Sequence, residues 1–260
     1  MMNAVDLMGG LATGLVGGFT SGLLGVTPGG GLVVFGVLLL GAEQHVAQGL
    51  SLIAQIPPTS ATGIKRYWDG GSRVPLPLLL WLGLGFVVGG AVGALIANWA
   101  AASVLQWAYV VYLLLLDALL LRRSSGKDRS EAAKSAADPP GAALLLVGCA
   151  AGVSSGFLGI GGGLATVVGL SAVLGMAQHR AQMISLALTL VPTTIPAAWV
   201  YWDHDALPSW PILAVVIVGL AVGTDLGARL ATRVSAARLR IMLIGFVSLM
   251  ALCMALKAMR

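Results

Sequence analysis

Apolar residues in this chain run in long blocks, separated by short polar or glycine-rich breaks. The blocks predict helices at about 5–24, 46–64, 74–97 and 103–121, then at about 142–158, 180–199, 210–231 and 237–257. Each is of the right order to cross a hydrocarbon layer of about 30 Å, which takes about 20 residues. Two further runs, 31–41 and 163–175, follow glycine-rich breaks and are too short to span comfortably. The expected fold is therefore an all-α integral membrane protein of about ten membrane segments, some short or broken. One stretch departs from the pattern: 122–141 is charged, rich in Ser and Ala, and reads as a flexible linker. It divides the chain into a first five-segment unit, 1–121, and a second, 142–260.

The two units resemble each other at an offset of 134. Gln44-His45-x-Ala47-Gln48 recurs as Gln178-His179-x-Ala181-Gln182, Ser51-Leu52 as Ser185-Leu186, and Tyr67-Trp68-Asp69 as Tyr201-Trp202-Asp203. Pro58-Thr59 recurs as Pro192-Thr193, and Gly85, Gly89 and Gly93 match Gly219, Gly223 and Gly227. Shared helical composition would not keep rare His, Trp and Pro residues aligned, so the chain reads as a tandem duplication. Five segments is an odd number, so the copies are expected to face opposite ways across the bilayer. Alternating ten spans puts all but Lys257 and Arg260 of the 15 basic residues on one side. Retention of Lys and Arg in cytoplasmic loops then predicts a cytoplasmic linker and periplasmic termini, in a bacterial inner membrane. Lys65, Arg66 and Arg73 flank the first Tyr-Trp-Asp loop and have no counterpart around the second, as inverted repeats require.

Composition narrows the function. With 58% apolar and 10% charged residues and a mean hydropathy of +0.93, no large soluble domain fits. The net charge of +5 lies in short loops, so membrane topology explains it without a nucleic-acid partner. Cys149 and Cys253 sit singly in apolar runs and read as packing residues. Met1–Gly10 lacks a basic n-region, so the first block is expected to remain as a helix. There is no HExxH, Cys-rich ligand set, GxSxG or Walker loop, which leaves enzymatic chemistry, a metal or another cofactor without support.

The candidate chemistry lies at the breaks. Gly25-Val26-Thr27-Pro28-Gly29-Gly30-Gly31 and Gly159-Ile160-Gly161-Gly162-Gly163 interrupt apolar helices. Unwound backbone is tolerated at membrane depth where protein or a water-filled cavity satisfies it. The helix start that follows would offer N–H groups and a positive dipole end to a small anion; close packing is the alternative reading. Along the third helix Gln48, Ser51, Gln55, Thr59 and Thr62 share a face, as do Gln182, Ser185, Thr189 and Thr193 in its copy. Polar faces should point away from lipid, toward a substrate or a partner helix. The expected substrate-binding set is Gly29, Gly30, Gly31, Gln48, Ser51, Thr59, Gly161, Gly162, Gly163, Gln182, Ser185 and Thr193. His45 and His179, near helix starts at opposite faces, are candidates for coupling or gating. Asp225 and Arg229 read as an i, i+4 ion pair and Asp117 as a partner for Arg122, with a mechanistic role as the other reading of an acid among apolar residues. Trp68, Trp202, Trp210, Tyr67 and Tyr201 read as interfacial anchors.

At these residues the chain resembles the TauE/SafE, or sulfite exporter, family of membrane permeases. That family carries a triple glycine in each half after a glycine-spaced helix, matched here by Gly18–Leu32 and Gly152–Leu164. The resemblance covers all but the linker. It implies a secondary transporter, expected to export small sulfur-containing anions such as sulfite or sulfonates. Aligning the two triple glycines requires an insertion of two residues at Val26-Thr27-Pro28-Gly29, which predicts unequal half-sites. The rival readings are a passive channel and a non-transporting membrane subunit of a redox or maturation complex. Glycine-rich faces would serve a homodimer as readily as packing within one chain.

Overall fold

The computed structural model describes residues 4–24, 27–57, 75–122, 139–176, 178–190, 193–231, 234 and 236–259. Among the described residues all regular structure is helical. The elements are α1 (Ala4–Leu24), α2 (Gly29–Leu38), α3 (Gln44–Ala54), α4 (Leu76–Trp99), α5 (Ala102–Arg122) and α6 (Gly141–Leu158). They continue with α7 (Gly163–Val168), extended by a π-helical turn at Gly169–Val173, α8 (Gln178–Leu190), α9 (Ile195–Asp203), α10 (Trp210–Ala231) and α11 (Ala236–Ala258). Apart from its first residue and Pro139 to Gly141, the expected linker lies outside the described residues.

Among the described residues, three helices are long and apolar enough to cross a membrane: α4, α6 and α10 over Trp210–Leu230. At 1.5 Å per residue, the 24 residues of α4 reach about 36 Å. Leu80, Leu84, Val88, Val92 and Leu95 form an exposed apolar stripe on α4. Val218, Val222, Leu226 and Leu230 repeat the pattern on α10, a surface suited to lipid and unsuited to water. The chain is a multi-pass membrane protein.

Glycine decides how the long helices meet. A Cβ at Gly14, Gly18 or Gly22 on α1 would overlap the carbonyl oxygens of Val216, Leu220 and Thr224 on α10. At the same offset of 134, a Cβ at Gly148, Gly152 or Gly156 on α6 would overlap those of Leu82, Phe86 and Gly90 on α4. Facing glycines repeat the arrangement from the other side: Gly223 and Gly227 against Leu15 and Phe19, and Gly89 and Gly93 against Cys149 and Val153. Each pair thus interleaves two glycine ladders, bringing the backbones into contact as small residues do in lipid. Both pairs, α1 with α10 and α4 with α6, join one half of the chain to the other.

Two expected helices are shorter than their apolar blocks. In the described part of the block at 46–64, α3 ends at Ala54 and Pro57 follows; the residue before a proline is pushed out of the helical region. Thr59 and Thr62 lie outside the described residues. The block at 180–199 is two helices, α8 and α9, parted by a turn at Thr193 and Thr194. Pro196 sits in the first turn of α9, where no helical N–H partner is required. The short runs form α2, ten residues or about 15 Å, and α7 with its π turn, each about half the hydrocarbon thickness.

Candidate functional site

The two breaks lie side by side. A Cβ at Gly29 would overlap the Ile160 carbonyl, one at Gly161 the Gln55 amide, and one at Gly163 the Thr27 methyl group. Gly159 backs onto Gln48. The second break turns through three left-handed glycines, Gly159 (φ 71°), Gly161 (φ 75°) and Gly162 (φ 66°). L side chains rarely adopt this conformation, so the chain reverses here because the residues are glycine.

The helix starts correct the expected insertion. Pro28 precedes α2 and Gly162 precedes α7, with α2 beginning at Gly29 and α7 at Gly163. These pairs differ by 134, the same offset as the rest of the chain, so no residues are inserted. The triple glycines are instead displaced by two positions. Gly29, Gly30 and Gly31 open α2, whereas Gly161 and Gly162 form the turn before α7 and Gly163 is its first residue.

Polar side chains from α3 and α8 hold this junction. Ser51 Oγ lies 2.6 Å from Gly159 O and 3.2 Å from Gly29 O, sharing its single proton between the two breaks. Ser185 Oγ donates to Gly163 O at 3.0 Å, the counterpart of the Ser51 contact with Gly29. Gln48 donates through Nε2 to Phe157 O (3.2 Å) and Gln55 to the Ser51 carbonyl (2.8 Å). Thr27 Oγ1 donates to Ile160 O at 3.4 Å. Tyr109 on α5 donates to Gly30 O at 2.7 Å. The unwound carbonyls of Gly159 and Ile160, which lipid could not satisfy, are therefore satisfied by protein, and the helix-start carbonyls of Gly29, Gly30 and Gly163 gain a side-chain donor.

The expected set is only partly assembled here. Gly29, Gly161, Gly163, Gln48, Ser51 and Ser185 meet at the junction. Gly30 contacts Tyr109, Gly31 faces α1, and Gly162 abuts Phe86 and Ser155. Thr193 is buried in the turn before α9. Thr59 and the side chains of Gln182 and His179 lie outside the described residues. His45 Nε2 lies 3.0 Å from Ala97 O; a carbonyl only accepts, so His45 donates to the last turn of α4.

Two readings need correction. Tyr201 is not an interfacial anchor: it is fully buried, and its hydroxyl lies between Gln48 Oε1 (3.0 Å) and Gly156 O (2.9 Å). Trp202 and Trp210 are exposed and pack edge to face with centroids 4.9 Å apart, as surface anchors would. The described partner of Asp117 is Ser248 on α11, whose Oγ donates to Oδ2 at 2.6 Å. Asp225 and Arg229 pair at 2.7 Å, as expected.

Sequence reasoning missed several polar residues. Gln44 is buried with neither amide atom hydrogen-bonded, and Ser155 Oγ and Thr166 Oγ1 are buried and unpaired. Gln44 extends the Gln48 face by one turn, a signal present in the sequence. Thr166 and Tyr109, isolated in apolar runs, carried none. No described group of acidic, His or Cys side chains could hold a metal ion, so the junction is built from neutral hydroxyls, amides and backbone.

A family model described as Sulfite exporter TauE/SafE matches residues 10–254. No curated protein and no solved structure matches the chain.

Proposed function

The chain belongs to the sulfite exporter TauE/SafE family, and on that premise we propose that it is a secondary transporter of small sulfur-containing anions, sulfite or sulfonates, in a bacterial inner membrane. In this reading ten segments form two inverted five-segment repeats, 1–121 and 142–260, joined by a cytoplasmic linker, with both termini periplasmic. Substrate binds near the midplane and is exported as one repeat rocks against the other.

The observation that carries the reading is the meeting of the two unwound breaks in a buried shell of neutral donors. An anchoring subunit needs no such paired junction, and saturation of flux is what separates a transporter from a channel built on the same plan. In support of two like halves, the α1–α10 and α4–α6 ladders coincide residue for residue at an offset of 134, and so do the Ser51–Gly29 and Ser185–Gly163 bonds; their inversion is supported by the charge reversal around the two Tyr-Trp-Asp stretches. The proposed substrate contacts are the backbone at Gly29, Gly30, Gly31, Gly161, Gly162 and Gly163, with Gln48, Ser51, Thr59, Gln182, Ser185 and Thr193 around it. Binding requires Ser51 and Ser185 to exchange a carbonyl partner for a substrate oxygen.

The test is thermal melting of the detergent-solubilised protein against sulfite, sulfate, sulfoacetate, taurine and formate, followed by flux of the stabilising anion into liposomes. A ligand at 100 times its Kd raises stability by about 2.7 kcal/mol. A selective rise for sulfur anions with saturable flux is expected. Stabilisation by an unrelated solute alone would sink the substrate class, and flux that never saturates would favour a channel.

A further inference from the structure

Asp117 stands apart from the junction. It lies on α5 in an apolar run and is 7% exposed. Ser248 Oγ donates to its Oδ2, while Oδ1 is buried with no hydrogen-bond partner. An acid inside a membrane helix is costly to keep charged and usually belongs to a transport pathway. Its position at offset 134 is Ala251, so it is a feature of one half only.

We propose that Asp117 is the proton-binding site of the transport cycle: a proton from water on one side adds to Oδ1, Ser248 holds Oδ2, and the proton leaves to the other side. The proposal rests on the transporter reading above and names its coupling ion. Two observations support the placement. First, Ser248 corresponds at offset 134 to Leu114, one turn from Asp117. In inverted halves, residues so related lie at mirrored depths, so the Asp117–Ser248 contact falls about 2 Å from the midplane. Second, the same helices touch the first break: Tyr109 on α5 bonds Gly30 O, and a Cβ at Gly30 would lie 3.7 Å from Met250 on α11. Protonation at the α5–α11 contact thus acts on the helices that border Gly30.

α5 packs against α3, α6 and α11. The titratable groups on them are His45 and the adjoining Glu43, Cys149, and Arg238, Arg240, Cys253 and Lys257. His45 is held by Ala97 O, Glu43 and Lys257 are exposed, and Cys149 lies against the α4 glycines. The side chains of Arg238 and Arg240 lie outside the described residues. On α5 itself, Tyr109 bonds Gly30 O, Tyr112 is half-buried, and the side chain of Arg122 at its end lies outside the described residues. No ion pair is described at Asp117.

The experiment uses the full-length protein in liposomes with radiolabelled sulfoacetate, whose charge is constant near neutral pH, and with the membrane potential clamped. The readout is accumulation with a pH gradient divided by accumulation without one, in each variant. One pH unit supports up to about tenfold accumulation per coupled proton. Wild type should approach this and Asp117→Asn should fall to a ratio of one; an Asp117→Asn ratio equal to wild type overturns the proposal. Absence of wild-type flux for sulfoacetate and sulfite alike would instead count against the transporter reading. Infrared difference spectra between acid and neutral pH then decide the proton site by themselves. A carboxyl C=O band present in wild type, absent in Asp117→Asn and displaced in Ser248→Ala supports it; no band lost in Asp117→Asn overturns it.

Discussion

Ser51 touches both breaks at once, so its hydroxyl fixes their separation. Truncating it leaves the Gly159 carbonyl without its described donor and removes the extra contact on Gly29 O, which keeps its place in the α2 ladder; interhelical hydrogen bonds in membranes contribute about 0.6 to 2 kcal/mol each. Ser51→Ala should therefore lower the melting temperature of the purified protein more than Ser185→Ala, whose described bond is to Gly163 O alone. Tyr201→Phe removes the hydroxyl between Gln48 and Gly156 while leaving the ring in its packing. It should cost about 1 kcal/mol in a reversible denaturation assay, whereas an interfacial tyrosine would lose nothing measurable. The polar face of α3 was legible from the spacing of Gln48, Ser51 and Gln55. Its partners were not, because each bond reaches far along the chain: Ser51 to Gly159, and Tyr201 to Gln48.

At the level of helices, the glycine ladders set the distance between α1 and α10 and between α4 and α6. Gly18→Ala or Gly152→Ala would drive a methyl group into the carbonyl of Leu220 or Phe86, which cannot yield without moving the helix. Overpacking of this kind costs about 1–3 kcal/mol or more, so these variants should melt earlier and give less monodisperse protein by size-exclusion chromatography. Gly245→Ala on α11 is the control. Nothing lies within 4 Å of a Cβ there, and removing a helical glycine should be neutral or stabilising by up to about 1 kcal/mol. The sequence showed that glycines were spaced for helix contact. Which helix met which was hidden, since a four-residue glycine spacing suits any partner helix.

For the whole molecule, the charge pattern makes a prediction about topology. In a variant lacking Cys149 and Cys253, an impermeant thiol reagent applied to intact cells should label Asp205→Cys, and should label Ser125→Cys only after permeabilisation. Equal labelling of both from outside would contradict the inverted arrangement. Extra apolar area alone would not organise such a fold, because lipid is as apolar as the helices. Close backbone contact and the buried polar junction supply the specificity.

The amino-acid pattern by itself determined that this is a helical membrane protein with a duplicated, glycine-broken plan, because solvent preference and repeat spacing are local properties of the chain. The tertiary structure alone decided that α1 pairs with α10 and α6 with α4, each across the two halves. It also decided that the breaks correspond without insertion, that α8 and α9 are separate, and that Tyr201, Gln44 and Asp117 are buried. Apart from the local turn between α8 and α9, those outcomes depend on which backbones approach closely enough to share hydrogen bonds, a property of residues more than a hundred positions apart.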